Sequence, residues 1–168
     1  ATYNGEMITK MSHLVEKADI ITPNLTETSI LLGKKYSSDK VTLPQVKEYL
    51  KELCSLGPEI SLITGIMTEE GRHVNVCYNS NDDKFWLAPF NYVNKRYPGT
   101  GDLFTSLFLG YYLKGKSLPE AIEEAARFVS LSVLTSYEAG VPSSEGVIFE
   151  KIMKELYNEI EEYKYTRI

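Results

Sequence analysis

Gly99-Thr100-Gly101-Asp102 runs straight into the apolar stretch Leu103-Phe104-Thr105-Ser106-Leu107-Phe108-Leu109-Gly110. The motif puts glycines and a carboxylate at the start of a predicted helix. Unpaired backbone N–H groups at a helix N-terminus bind anions. Glycine lets phosphate oxygens come close to the backbone. An aspartate at the same point can accept a proton from an alcohol. The chemistry these residues suggest is attack of an alcohol on a phosphate. The motif also reads as a plain loop with Asp102 favoured by the helix dipole, so the residues elsewhere in the chain must decide.

Thr22-Pro23-Asn24-Leu25-Thr26-Glu27 follows a short apolar run directly. Ligands bind beyond the carboxyl ends of strands in parallel α/β sheets. Asn24 and Glu27 are three positions apart and can project from one helical turn. Such oxygen donors suit a magnesium ion that keeps most of its waters. The same pair also reads as an Asn variant of the capping box. Thr64-Gly65 ends another apolar run and offers a hydroxyl and a bare backbone to a nucleotide phosphate, although many strands end this way without function. Lys95 and Arg96 lie near the glycine motif, either as local positive charge or as solvated loop residues. Gly110-Tyr111-Tyr112-Leu113-Lys114-Gly115-Lys116-Ser117 satisfies the P-loop pattern literally. Its context is wrong, because a helix precedes it and Leu118-Pro119 follows at once. It reads as a helix end, a turn and the next N-cap.

Alternating elements must position these residues. Residues 6–17 form a predicted helix with Met7, Ile8, Met11, Leu14 and Val15 at helical spacing. Residues 18–22 read as a strand ended by Pro23, and 26–32 as a helix stopped by Gly33. A polar loop over 34–42 leads to a helix opened by Pro44, with Val46, Tyr49, Leu50 and Leu53 on one face. Residues 60–64 are a predicted strand, and 72–78 with 84–88 a hairpin. Helices are expected over 101–114 and from the capping box at Ser117–Glu120 to about Tyr137. A last helix is expected over 145–163, with Val147, Ile148, Ile152, Leu156 and Ile160 on one face. The pattern gives an α/β sheet covered by helices, with an antiparallel hairpin at one edge.

The 168 residues fit one domain. At 43% apolar and 24% charged, disorder is not the default. The twelve tyrosines are spread along the chain and read as packing. A net charge of −5 argues against nucleic acid, not against ATP, because a nucleotide site is local. Cys54 and Cys77 make no disulfide framework, and the isolated His13 and His73 no zinc site. No apolar run reaches the ~18 residues of a membrane span, and no signal peptide is visible, so a cytoplasmic protein is expected. Ala1 opens in what reads as mid-loop sequence, as a fragment or processed chain would.

Together these residues resemble the ribokinase-like superfamily of small-molecule kinases, and within it the pyridoxal (vitamin B6) kinases. The resemblance rests on the segment 18–27, the strand ending in Thr64-Gly65, and Gly99-Thr100-Gly101-Asp102-Leu103-Phe104, in order and spacing across nearly the whole chain. It implies a three-layer α/β/α sandwich and transfer of the ATP γ-phosphate to the hydroxymethyl group of pyridoxal, pyridoxine or pyridoxamine. Asp102 would be the base, and Gly99, Thr100 and Gly101 the anion hole. Asn24 and Glu27 would organise magnesium and phosphate, with Thr22 near the cation and phosphate site. Thr64 and Gly65 would contact a nucleotide phosphate. Tyr92 and Val93 fall where the family holds adenine, and Tyr3 matches a tyrosine near the phosphates. ATP and Mg2+ are the implied cofactors, with a monovalent cation as an optional third.

Related hydroxymethylpyrimidine kinases commonly carry cysteine where Asp102 stands, and sugar kinases more often read Gly-Ala-Gly-Asp. Both differences tilt toward pyridoxal kinase. The family's N-terminal part supplies the first strands, most of the vitamer pocket and the dimerisation edge. Residues 1–168 are therefore expected to be a single partial domain, the C-terminal nucleotide-binding and catalytic portion, homodimeric when the full fold is present. The implied partners are ATP and a small-molecule vitamer, with no nucleic acid or membrane. The alternatives are a hydroxymethylpyrimidine or sugar kinase of the same fold and, from another class, a catalytically silent nucleotide-binding fragment.

Overall fold

β-Branched and aromatic residues crowd into three runs between positions 60 and 89, and these runs form the strands of one sheet. The computed structural model describes residues 5–35 and 41–168, so the expected loop over 34–42 lies partly outside the described residues. The chain divides into two compact units, residues 1–87 with 166–168 and residues 88–165, each described by itself below.

The first unit holds the sheet, with strands in the order β1-β2-β3-β4-β5. β1 (Ile20–Ile21) pairs in parallel with β2 (Ile60–Met67), Ile20 opposite Ile60 and Ile21 opposite Ser61. β2 pairs antiparallel with β3 (His73–Asn79). β4 (Lys84–Pro89) lies beside β3 across a turn too short for a parallel crossover, so these two form the expected hairpin. β5 (Thr166–Arg167) adds antiparallel to β4, Thr166 opposite Leu87 and Arg167 opposite Trp86.

Helices α1 (Gly5–Val15), α2 (Leu25–Leu31) and α3 (Leu43–Ser55) belong to the same unit. α3 begins where Thr42 and Gln45 form a capping box, with Pro44 in the first turn. Val46, Leu50 and Leu53 recur at helical spacing and are fully buried against Ile63, Ile66, Val74 and Val76 of the sheet. Burying a side chain of this kind stabilises by about 1.5–3 kcal/mol. This face holds α3 on the sheet.

The second unit is mostly helical. α4 (Thr100–Leu113) and α5 (Leu118–Glu138) are joined by a short turn and pack together. Phe104, Phe108 and Tyr112 recur every fourth residue along α4, and their rings stack at 6.3 and 6.1 Å. The P-loop-like stretch is a helix end, a turn and an N-cap, as its context indicated. Gly110 lies within α4, Lys114 caps it, and Ser117 caps α5 through Glu120. The Lys116 ammonium is held by the Tyr163 hydroxyl at 3.0 Å and by Glu159 at 3.2 Å.

The helix expected over 145–163 does not form. Two 3-10 stretches, Ser143–Glu145 and Phe149–Tyr157, take its place, and an irregular segment then leads into β5. Side chains of α5 compete for the backbone groups that an α-helix would need. Glu123 and Glu124 are buried on α5. Both Glu123 oxygens accept the Lys164 N–H at 2.9 Å, and Glu124 accepts the Ile160 N–H at 3.0 Å. Arg127 donates to the carbonyls of Glu155 and Asn158. Of the apolar residues expected on one helical face, only Ile152 is buried. Among the described residues, no helix is long and apolar enough to cross a membrane.

Candidate active site

In the first unit, parallel pairing carries on beyond β1. Asn24 makes a parallel bridge to Thr64, and the Thr64 N–H donates to the Pro23 carbonyl at 3.0 Å. Asn24, Thr64 and Gly65 are therefore neighbours just beyond the end of β1, and ligands bind beyond strand ends in such sheets. The strand expected to end at Thr64 instead runs on to Met67, because its pairing with β3 resumes at Ile66. Asn24 is the N-cap of α2. Its Oδ1 accepts the Glu27 N–H at 3.0 Å, and Glu27 Oε2 accepts the Asn24 N–H at 2.9 Å. The capping box is thus formed.

Thr22, Pro23 and Glu27 also border a groove of about 260 Å³ whose walls are apolar side chains of α1 and α2, including Ile8, Met11 and Ile30. A residue pair of β2 departs from the burial of its neighbours. Thr64 is half-buried and Gly65 exposed, inside a strand otherwise closed to solvent from Ile60 to Ile66.

In the second unit, Gly99 is the N-cap of α4 with φ +81° and, having no side chain, makes no side-chain cap hydrogen bond. The leading N–H groups of an α-helix have no partner within the helix and need another acceptor. A Cβ built on Gly99 or Gly101 meets nothing within 4 Å. Asp102 is exposed in the first turn. The Thr100 hydroxyl donates to the Tyr97 carbonyl at 3.1 Å, closing the turn that leads into the helix. Tyr97 is 4% exposed, and its hydroxyl donates to the Val141 carbonyl at 3.0 Å. Tyr92 is exposed and Val93 half-buried in the irregular segment before the turn. Lys95 and Arg96 are exposed, and the Lys95 ammonium lies 6.0 Å from the centre of the Tyr137 ring. Tyr3 lies outside the described residues.

The structure therefore groups Asn24, Glu27, Thr64 and Gly65 in one unit and Gly99, Thr100, Gly101 and Asp102 in the other. Two residues that sequence reasoning passed over hold these groups. Asn75 accepts the Gly65 N–H, and Tyr97 anchors the turn before Gly99. A signal for Asn75 was present: a lone amide between valines in an apolar strand. Tyr97 was hidden among the many tyrosines read as packing.

The mixed α/β fold matches that of ribokinase-like kinases among solved structures. A Bacteroides thetaiotaomicron protein assigned as a phosphomethylpyrimidine kinase, crystallised with pyridoxal, superposes with a TM-score of 0.92 at 35% identity, covering 100% of this chain and 59% of that one. The chain belongs to the phosphomethylpyrimidine kinase family, whose sequence profile matches residues 2–146. It is 34% identical over 128 residues to the pyridoxal kinase PdxY of Histophilus somni, covering 74% of this chain and 43% of that protein. It is 30% identical over 129 residues to the hydroxymethylpyrimidine/phosphomethylpyrimidine kinase of Aquifex aeolicus, covering 77% and 49%. The chain thus spans about half the length of these curated relatives.

Proposed function

We propose that the chain is the nucleotide-binding and catalytic portion of an ATP-dependent kinase that phosphorylates the hydroxymethyl group of a vitamin B6 vitamer. The observation that carries this reading is the start of α4, a left-handed glycine N-cap without a side-chain cap and a carboxylate in the first turn. Backbone N–H groups of Gly99, Thr100 and Gly101 would stabilise charge on the transferred phosphoryl group. Asp102 would take the proton of the attacking hydroxyl. The alcohol oxygen forms a bond to the γ-phosphorus, the bond from that phosphorus to the bridging oxygen breaks, and ADP leaves. The proton rests on Asp102.

Thr64 and Gly65 would contact a nucleotide phosphate, and Tyr92 and Val93 would lie against adenine. A magnesium ion fits the donors of the first unit. Thr22, Asn24 and Glu27 offer only oxygen, and among the described residues no cluster of three His, Cys, Asp or Glu could hold a metal outright. A cation held by one carboxylate, its own waters and phosphate is the usual mode for magnesium, and it would neutralise phosphate charge.

A second reading is favoured by the family profile and by the Aquifex relative: a hydroxymethylpyrimidine or phosphomethylpyrimidine kinase. Asp102 supports the vitamer reading, because the resemblance places cysteine there in the pyrimidine kinases. The test is a panel of pyridoxal, pyridoxine, pyridoxamine, hydroxymethylpyrimidine and sugars, with ADP release and phosphorylated product as readouts. A B6 vitamer should have the highest kcat/KM. Preference for the pyrimidine or a sugar refutes the vitamer reading, and no transfer to any alcohol leaves a silent nucleotide-binding module.

A further inference from the structure

β2 and β3 pair in register through Ile63 opposite Val76 and resume at Ile66 opposite Val74. Between these pairs, Thr64 and Gly65 stand against the single residue Asn75. Two residues against one make a β-bulge, which removes backbone groups from the ladder. Here the Gly65 N–H, freed from the ladder, donates to Asn75 Oδ1 at 3.0 Å. On the other side, the Thr64 N–H donates to the Pro23 carbonyl at 3.0 Å. The corner is therefore held from β3 by a side chain and from the end of β1 by backbone.

Asn75 is 4% exposed, between the fully buried Val74 and Val76. Strand propensity and burial both disfavour an amide at such a place. Its hydrogen bond to the bulge offsets that cost. Valine or alanine would leave the Gly65 N–H without this acceptor.

We propose that Asn75 is a positioning residue, which holds the Thr64–Gly65 corner in the shape that contacts a nucleotide phosphate. The role in nucleotide binding rests on the kinase reading given above, whereas the hold on the corner does not. The test uses Asn75→Ala and Asn75→Asp in the protein, the second keeping an acceptor oxygen. Amide hydrogen exchange reads the corner, and equilibrium binding of ATP reads its function.

In Asn75→Ala the Gly65 amide should exchange about tenfold faster, the loss expected for one hydrogen bond of ordinary strength. The amides of Val74 and Val76 should change far less. ATP affinity should fall about tenfold with the same variant, and Asn75→Asp should restore both. If Asn75→Ala does not fold, Asn75→Ser serves, since its hydroxyl is too short to span the same gap. Unchanged exchange at Gly65 overturns the proposal, and so does equal acceleration throughout β2 and β3, which would make Asn75 a general support of the sheet. Faster exchange at Gly65 with unchanged ATP affinity overturns the positioning role. If the wild type binds no ATP while Gly65 still responds to Asn75→Ala, the nucleotide role and the kinase reading fail and the hold on the corner stands.

Discussion

Replacing Gly99 by alanine separates backbone strain from chemistry at the start of α4. Gly99 sits at φ +81°, ψ −4°. An L-residue held in the left-handed region costs about 1–2 kcal/mol. The added methyl meets nothing within 4 Å, so no steric penalty adds to this. For a chain of this size, that strain should lower Tm by about 2–8 °C. The effect on catalysis should be larger. The left-handed turn aims the first N–H groups of α4, and removing one such donor from an anion hole lowers kcat by about 10²-fold or more. Gly71→Ala is a matched control. Gly71 has φ +80°, a Cβ there also meets nothing within 4 Å, and it lies in the turn between β2 and β3. Both variants should lose similar stability by thermal melting, and only Gly99→Ala should lose phosphoryl transfer from ATP to pyridoxal. Equal turnover in the two variants would refute the assignment of the anion hole.

Tyr97→Phe removes the hydroxyl that reaches the Val141 carbonyl, and should cost about 1 kcal/mol; exchange of the amides at 99–103 should rise, and unchanged exchange there would show that the bond does not anchor the turn. Leu50→Ala removes a side chain with no exposure and should destabilise by about 2–5 kcal/mol in urea unfolding, without altering the m-value. Glu123 has its pKa raised, chiefly by burial, which outweighs the Lys164 N–H bonds that favour the carboxylate. A raised folded pKa gives stability that is present below the unfolded value and lost as pH rises through the folded one. Relative to Glu123→Gln, the wild type should therefore lose stability as pH rises from about 4 toward neutrality, and a constant difference in Tm across that range would contradict the burial argument.

Much of the fold was legible because its elements carry local signals. The capping box at Ser117, Pro44 in the first turn of α3 and the periodicity of Val46, Leu50 and Leu53 mark helices without tertiary information. The segment after residue 145 was not legible. Its apolar spacing matches a helix, but the deciding interactions come from Glu123, Glu124 and Arg127, some thirty to forty positions away. β5 is similarly fixed by its pairing with β4, since its residues are exposed and carry no pattern of their own. In the candidate site, Gly99–Asp102 and Asn24–Glu27 could be found because helix starts are local events. The bulge at Thr64–Gly65 needed the register of a neighbouring strand, so Asn75 became visible only in the sheet.

The most direct measurement is phosphoryl transfer by Asp102→Asn in single-turnover experiments with ATP and pyridoxal, with ATP affinity measured alongside. Asparagine keeps the shape of the side chain and cannot take the hydroxyl proton. The proposed role predicts a fall in the transfer rate of about 10²–10⁴-fold with ATP affinity little changed. Near-normal transfer by Asp102→Asn would contradict it.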